Sequence, residues 1–201
     1  MVQTMAVTAS RSATYADLTA VPEHFVAEVI DGTLETHPRP RPQHALAASD
    51  LNAVLGPPFR QGRGGPGGWL SMVEPELHLG PQVVVPNLAG WRHPGIPSKP
   101  EAAFIGIPPD WVCQILSPST MRLDRDPERR IYAEAGIGHL WLLDPGEGFL
   151  EGFGFADGRW VVLATIQHGE TMALPPFDAV PFPLDDLFPF DDPAAPALPE
   201  T

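Results

Sequence analysis

The stretch Asp110–Thr120, "DWVCQILSPST", decides the fold. Trp111, Val112, Cys113, Ile115 and Leu116 make a run too continuous for a strand with one wet face, so a strand buried on both faces is expected here. Gln114 interrupts it with a carboxamide. Upstream, "VVVPNLAGW" carries a second apolar run past Pro86 and Asn87. A buried amide that finds no partner costs about 1–3 kcal/mol. These two amides are therefore either ordinary hydrogen-bonded structural groups, or occupants of places where something more reactive normally stands.

The neighbouring segments supply the rest of the sheet and its cover. "HFVAEVIDGTLETHP" alternates apolar and polar positions around Asp31-Gly32, and "LEGFGFADGRWVVLATI" does so around Asp157-Gly158; both predict hairpins. "WLSMVEPELHLG" and "QVVVPNLAGW" read as two strands joined at Gly80-Pro81, and "HLWLLDP" as another buried strand. "SATYADLTAV" predicts a short helix capped by Ser12 or Thr14. "PQHALAASDLNAVLGPPF" predicts a helix burying Ala45, Leu46, Ala48, Leu51 and Leu55, and stopping at Gly56-Pro57-Pro58. A third helix in "RLDRDPERRIYAEAG" begins at Pro127, a residue suited to a first turn, and ends at Gly136. The glycines of "RQGRGGPGG" lack the Lys-Ser/Thr of a phosphate loop and predict a plain connection. The order implies an α/β or α+β domain around a mixed sheet flanked by helices, with additional hairpins. One domain over residues 1–190 and a Pro/Ala-rich, disordered tail over 191–201 are expected.

Bulk composition narrows the partners. A chain of 201 residues, 43% hydrophobic, can bury one substantial core. Its net charge of −13 opposes tight nonspecific nucleic-acid binding, which needs clustered Lys and Arg. Cys113 is the single cysteine, so a disulfide and a multi-cysteine zinc site are excluded, and its apolar strand predicts an inert thiol. No run is long and apolar enough to span a bilayer, and the first residues have no secretory pattern; a cytoplasmic protein without a membrane partner is expected.

The polar positions fall in the order Glu28, His44, Glu74, Glu76, Asn87, Gln114, followed by charges from Asp124 to Arg130. With "YADL", "EVIDGTLE", "QHALAASDLNAVL", "EPELHLG", "VVVPNLAGWR", "PPDWVCQILSPST", "RIYAEAGIGHLWLLDP" and "PPFDAVPFPLDDLF", the chain resembles the Uma-type restriction-endonuclease family, a bacterial group of the PD-(D/E)XK nuclease superfamily. The resemblance runs from about Tyr15 to Phe188. It implies a restriction-endonuclease-like fold, magnesium, and hydrolysis of DNA phosphodiesters. It also implies catalytic Asp, Glu and Lys where this chain has Asn87, Gln114 and Glu128. Glu28, His44 and Glu76 match common family positions and are expected to line the site.

Those three changes bear directly on metal chemistry. Magnesium is a hard cation that favours anionic oxygen, and in such nucleases it activates water and offsets phosphate charge. At an effective dielectric of about 20, one unit charge near a divalent ion is worth several kcal/mol. Asn and Gln keep the shape and lose that attraction, while Glu128 repels phosphate where a lysine would neutralise it. Three readings stay open: a nuclease fold with a decayed centre, kept as a binding or homodimer-forming module; an active endonuclease whose metal ligands have moved to Glu28, Glu74, Glu76 and Glu128; and a partner-binding protein whose cleft is idle. Glu74 and Glu76 read equally as metal ligands or as solvent-facing strand charges. His44 reads as a helix-start surface group, or as a ligand or base if the site is real. Arg122, Arg125, Arg129 and Arg130 form either a basic edge for DNA, or a salt-bridged face with Asp124, Asp126, Glu128 and Glu134.

Overall fold

Two tight turns set the hairpin registers. Asp31 and Gly32 both take positive φ (51° and 76°), as do Asp157 and Gly158 (52° and 76°), the backbone that a two-residue turn between twisted strands demands. The first turn pairs β1 (Phe25–Ile30) with β2 (Thr33–Pro38). The computed structural model of the protein describes residues 11–38, 41–96, 102–116 and 127–189. The segments expected to hold the tail, Arg122 and Arg125 lie outside these.

The two long strands expected around Gly80-Pro81 are each broken in two. β3 (Trp69–Val73) and β4 (Leu77–Leu79) are separated by Glu74 at φ 45° and Pro75; β5 (Gln82–Val84) and β6 (Leu88–Arg92) are separated at Pro86-Asn87. Proline has no N–H for a ladder, so Pro75 and Pro86 let the paired strands leave one sheet and enter another. β4 and β5 complete a four-stranded sheet in the order β2-β1-β5-β4. The other halves join a six-stranded sheet of β10-β9-β8-β7-β6-β3, where β7 is Trp111–Ile115, β8 His139–Asp144, β9 Phe149–Ala156 and β10 Arg159–Gln167. Only β7 and β8 run parallel in it, so a crossover must join them. That connection contains α3 (Pro127–Glu134).

The quoted strand is buried throughout, as expected, because both faces of β7 are covered. Trp111, Cys113 and Ile115 enter a cluster under α2 (Pro42–Leu55) with Ala47, Leu51, Leu55, Trp141 and Phe177. Val112 enters the opposite cluster with Trp91, Leu140, Leu142 and the α3 residues Ile131 and Tyr132. Burial pushes the Cys113 thiol pKa far up, consistent with an unreactive packing group. Helix α2 buries Ala47 where Ala45 was expected, and Ala45 is exposed. Beyond Leu55 the chain continues as one π turn, Gly56–Arg60, before the glycine-rich connection. The short helix α1 (Tyr15–Thr19) is capped by Thr14, whose hydroxyl accepts from Asp17 N–H in a reciprocal box. No helix among the described residues is long and apolar enough to cross a membrane.

Candidate functional site

The corner where the strands change sheets is also where the two amides meet. Glu74 N–H donates to Asn87 O (2.9 Å), so the two breaks are locked side by side. Asn87 stands at the start of β6, and the second half of β7 runs beside it. Its Oδ1 accepts the Ile115 backbone N–H at 2.7 Å, and its own backbone N–H points at Gln114 Oε1, 3.3 Å away. The amide oxygen being fixed by Ile115, the NH2 group must face outward, and Nδ2 donates to His44 Nε2 at 2.8 Å. That donor leaves His44 Nε2 as acceptor, so the ring is the neutral tautomer with its proton on Nδ1. Burial pushes the His44 pKa below its ordinary value and favours the same state.

Gln114 reaches the other face of the sheet. Its Nε2 donates to Glu128 Oε2 and to the Tyr132 hydroxyl oxygen (2.8 Å), and the Tyr132 O–H donates to Glu128 Oε2 (2.9 Å). Glu128 and Tyr132 lie four apart on α3 and therefore share one helix face. Both are buried, Glu128 to 2% exposure, and no described Lys or Arg pairs with that carboxyl. Burial raises the Glu128 pKa to about 7, against the two hydrogen bonds that favour the anion. The corner thus joins His44 of α2, Asn87, Gln114 of β7, and Glu128 and Tyr132 of α3 in one hydrogen-bonded chain. A cleft of about 230 Å³ opens beside it, lined by His44, Ser49, Asn52, Val73, Glu74 and Asn87.

The remaining residues singled out from the sequence lie elsewhere. Glu28 is buried on β1, where Oε1 accepts the Val85 N–H (2.7 Å) and Oε2 lies 3.6 Å from His37 Nε2. Glu76 Oε1 lies 2.8 Å from His78 Nε2, whose ring stacks on Phe104, so Glu76 does not line the cleft that Glu74 lines. His44 is buried, not a surface or capping group, because it sits at the third position of α2 facing Asn87. Arg130 donates to Asp31 (2.6 Å) and Glu134 (3.0 Å), and the Arg129 guanidinium lies over the Phe153 ring, 4.2 Å from its centroid. Glu128, expected on a solvated salt-bridge face, points inward instead. Tyr132 was not among the residues singled out from the sequence; its spacing of four from Glu128 is the signal that could have placed it in the site.

Magnesium, which the resemblance implies, is a poor match for this donor set. The oxygens that Asn87 and Gln114 would offer are neutral and already face N–H donors, and Glu128 is held by its own helix neighbour and an amide. Among the described residues, no three His, Cys, Asp or Glu side chains gather as a metal site would require. What the geometry provides is a connected set of polar groups tying two helices to the sheet, in which His44 Nδ1 is buried and meets no partner among the described residues.

Known proteins place the fold. None of the curated proteins matches the chain. Among solved structures, a putative nuclease of the DUF820 group from Anabaena variabilis superposes with a TM-score of 0.71 at 21% identity, covering 89% of this chain and 98% of that one. That likeness is one of fold: a nuclease-like mixed sheet with few helices. The family model described as "Putative restriction endonuclease" matches residues 13–183, and the chain belongs to this family, Uma2.

Proposed function

We propose that this chain is a nuclease-fold protein that has lost the divalent-metal hydrolysis of its family, and that its former centre now serves as a structural joint beside a binding cleft. One observation carries the reading: the polar atoms of Asn87 and Gln114 are bonded within the protein, to Ile115 N–H, His44, Glu128, Tyr132 and the Asn87 backbone. A carboxylate at either position would offer a negative charge to a cation; the amides offer none. Restoring metal there would require breaking bonds that hold α2 and α3 to the sheet. The charge balance points the same way for DNA, since Arg130 is engaged by two acids and the chain carries −13 overall.

A second reading, hydrolysis with relocated ligands, draws on Glu74 in the cleft beside Asn87 and on the contact of Glu128 with Gln114. Incubation of supercoiled plasmid with the protein and magnesium or manganese separates the two. The first reading expects the same background nicking with metal as with chelator. Metal-dependent nicking that disappears in Glu74→Gln or Glu128→Gln would replace it with the second. Retention of DNA at low salt that is lost on replacing Arg129 and Arg130 would restore nucleic acid as a partner.

A further inference from the structure

The geometry points to β10 as a self-complementary edge that pairs two copies of this chain about a two-fold axis, whether or not the centre is active. β10 ends the six-stranded sheet, and β9 is its one ladder partner among the described residues. An edge of nine residues turns a row of backbone groups outward over roughly 30 Å, of which the Gln167 N–H is met by Glu170. The side chains on it are unusual for this surface. Six large apolar side chains are exposed among the described residues, and three of them, Val161, Val162 and Leu163 at 40%, 54% and 43%, are consecutive here. Isolated exposed apolar groups need no explanation; a contiguous trio on an open strand edge does.

A bulge explains how the trio arises. The register skips between Val162 and Ala164, so the strand changes face at Leu163. Trp160 before it packs on the cluster containing Trp91, whereas Ala164 and Ile166 after it pack on the cluster containing Trp111. Their neighbours Val161, Val162 and Leu163 are left facing outward at the crossover.

Charge identifies the occupant as a second copy. Residues 159–167 contain no acid although the chain has 25, so this is an edge on which two molecules of charge −13 can approach. Arg159 opens the strand, and no described acid pairs with it. Glu170 follows its far end, folded back so that Oε2 accepts the Gln167 N–H (2.7 Å). Antiparallel pairing about the Leu163–Ala164 bond brings bulge against bulge, sets Trp160 opposite Gln167 of the other copy and Val162 opposite its Thr165, each pair on one face, and brings Arg159 near the other copy's Glu170, twice. At the usual density of 20–30 residues for about 800 Å², nine residues cover roughly 300 Å² per copy, which places the pair in the weak, reversible class.

Sedimentation velocity of the full chain from about 1 to 500 µM tests this, with circular dichroism to confirm folding of each variant. The wild type is expected to shift reversibly from monomer to dimer across that range. Leu163→Asp, an exposed position, should remain monomeric at every concentration. Arg159→Glu should weaken association at least several-fold, and Arg159→Glu with Glu170→Arg should recover it. A wild type that stays monomeric at 500 µM, or a dimer indifferent to Leu163→Asp, overturns the proposal. A double charge reversal no better than Arg159→Glu alone overturns the antiparallel register.

Discussion

Glu128 is a buried carboxyl with no cation beside it among the described residues, and its replacement by Gln gives a stability difference that depends on pH in a calculable way. The group's ordinary pKa is 4.5 and burial moves it to about 7 in the folded protein. Between these values the folded state holds a proton that the unfolded chain releases. Stability from this group is therefore fully present below about 4.5 and lost as pH rises to about 7, at up to about 1.4 kcal/mol per pH unit. From pH 5, just above the pI of about 4.7, to pH 8 the loss amounts to between about 2 and 3 kcal/mol. Glu128→Gln keeps an oxygen to accept from Tyr132 and Gln114 and has nothing to titrate. Its extra N–H atoms impose a constant offset, which cancels when the two proteins are compared across pH. Urea unfolding of both at constant ionic strength should show the variant gaining about 2–3 kcal/mol on the wild type between pH 5 and 8. Parallel pH profiles would refute the reasoning, since they would mean that Glu128 ionises when folded as readily as when unfolded.

Asn87→Asp should place an anion against His44 and draw a proton onto the ring, raising the His44 pKa from below its ordinary value to above it; an NMR titration of the ring reads this, and an unmoved His44 would contradict the amide orientation fixed by Ile115. Leu51→Ala, at a fully buried position of α2, should cost about 2–5 kcal/mol of unfolding free energy in urea. Gly158→Ala meets no neighbouring atom, so only its φ of 76° is penalised, and calorimetry should show a loss of about 1 kcal/mol.

The parts of the fold set by near neighbours were legible in the sequence. Asp31-Gly32 and Asp157-Gly158 carry their turn geometry in two residues, and the apolar run of β7, with Gln114 its one polar member, reads as a strand covered on both sides. The division of β3 from β4 and of β5 from β6 was missed, although Pro75 and Pro86 mark both places. A proline shows that a ladder is interrupted; whether the strand then bends, ends or changes sheets depends on the partner strand breaking opposite it. The buried state of His44 had no local signal, because it follows from Asn87, 43 residues away in the chain. Arg129 over Phe153 and Arg130 on Asp31 are equally long-range, so a helix rich in arginine read as a single charged face. Family resemblance singled out Asn87, Gln114 and Glu128 as candidate positions. It could not reveal that these three and Tyr132 join in one hydrogen-bonded set, since that depends on side-chain directions from three separate elements.

Calorimetric titration of magnesium and manganese into the wild type and into the triple variant Asn87→Asp, Gln114→Glu, Glu128→Lys tests the central claim most directly. The account predicts no binding heat for the wild type and saturable binding for the variant. Saturable, stoichiometric binding by the unaltered protein, abolished by Glu74→Gln or Glu128→Gln, would contradict it.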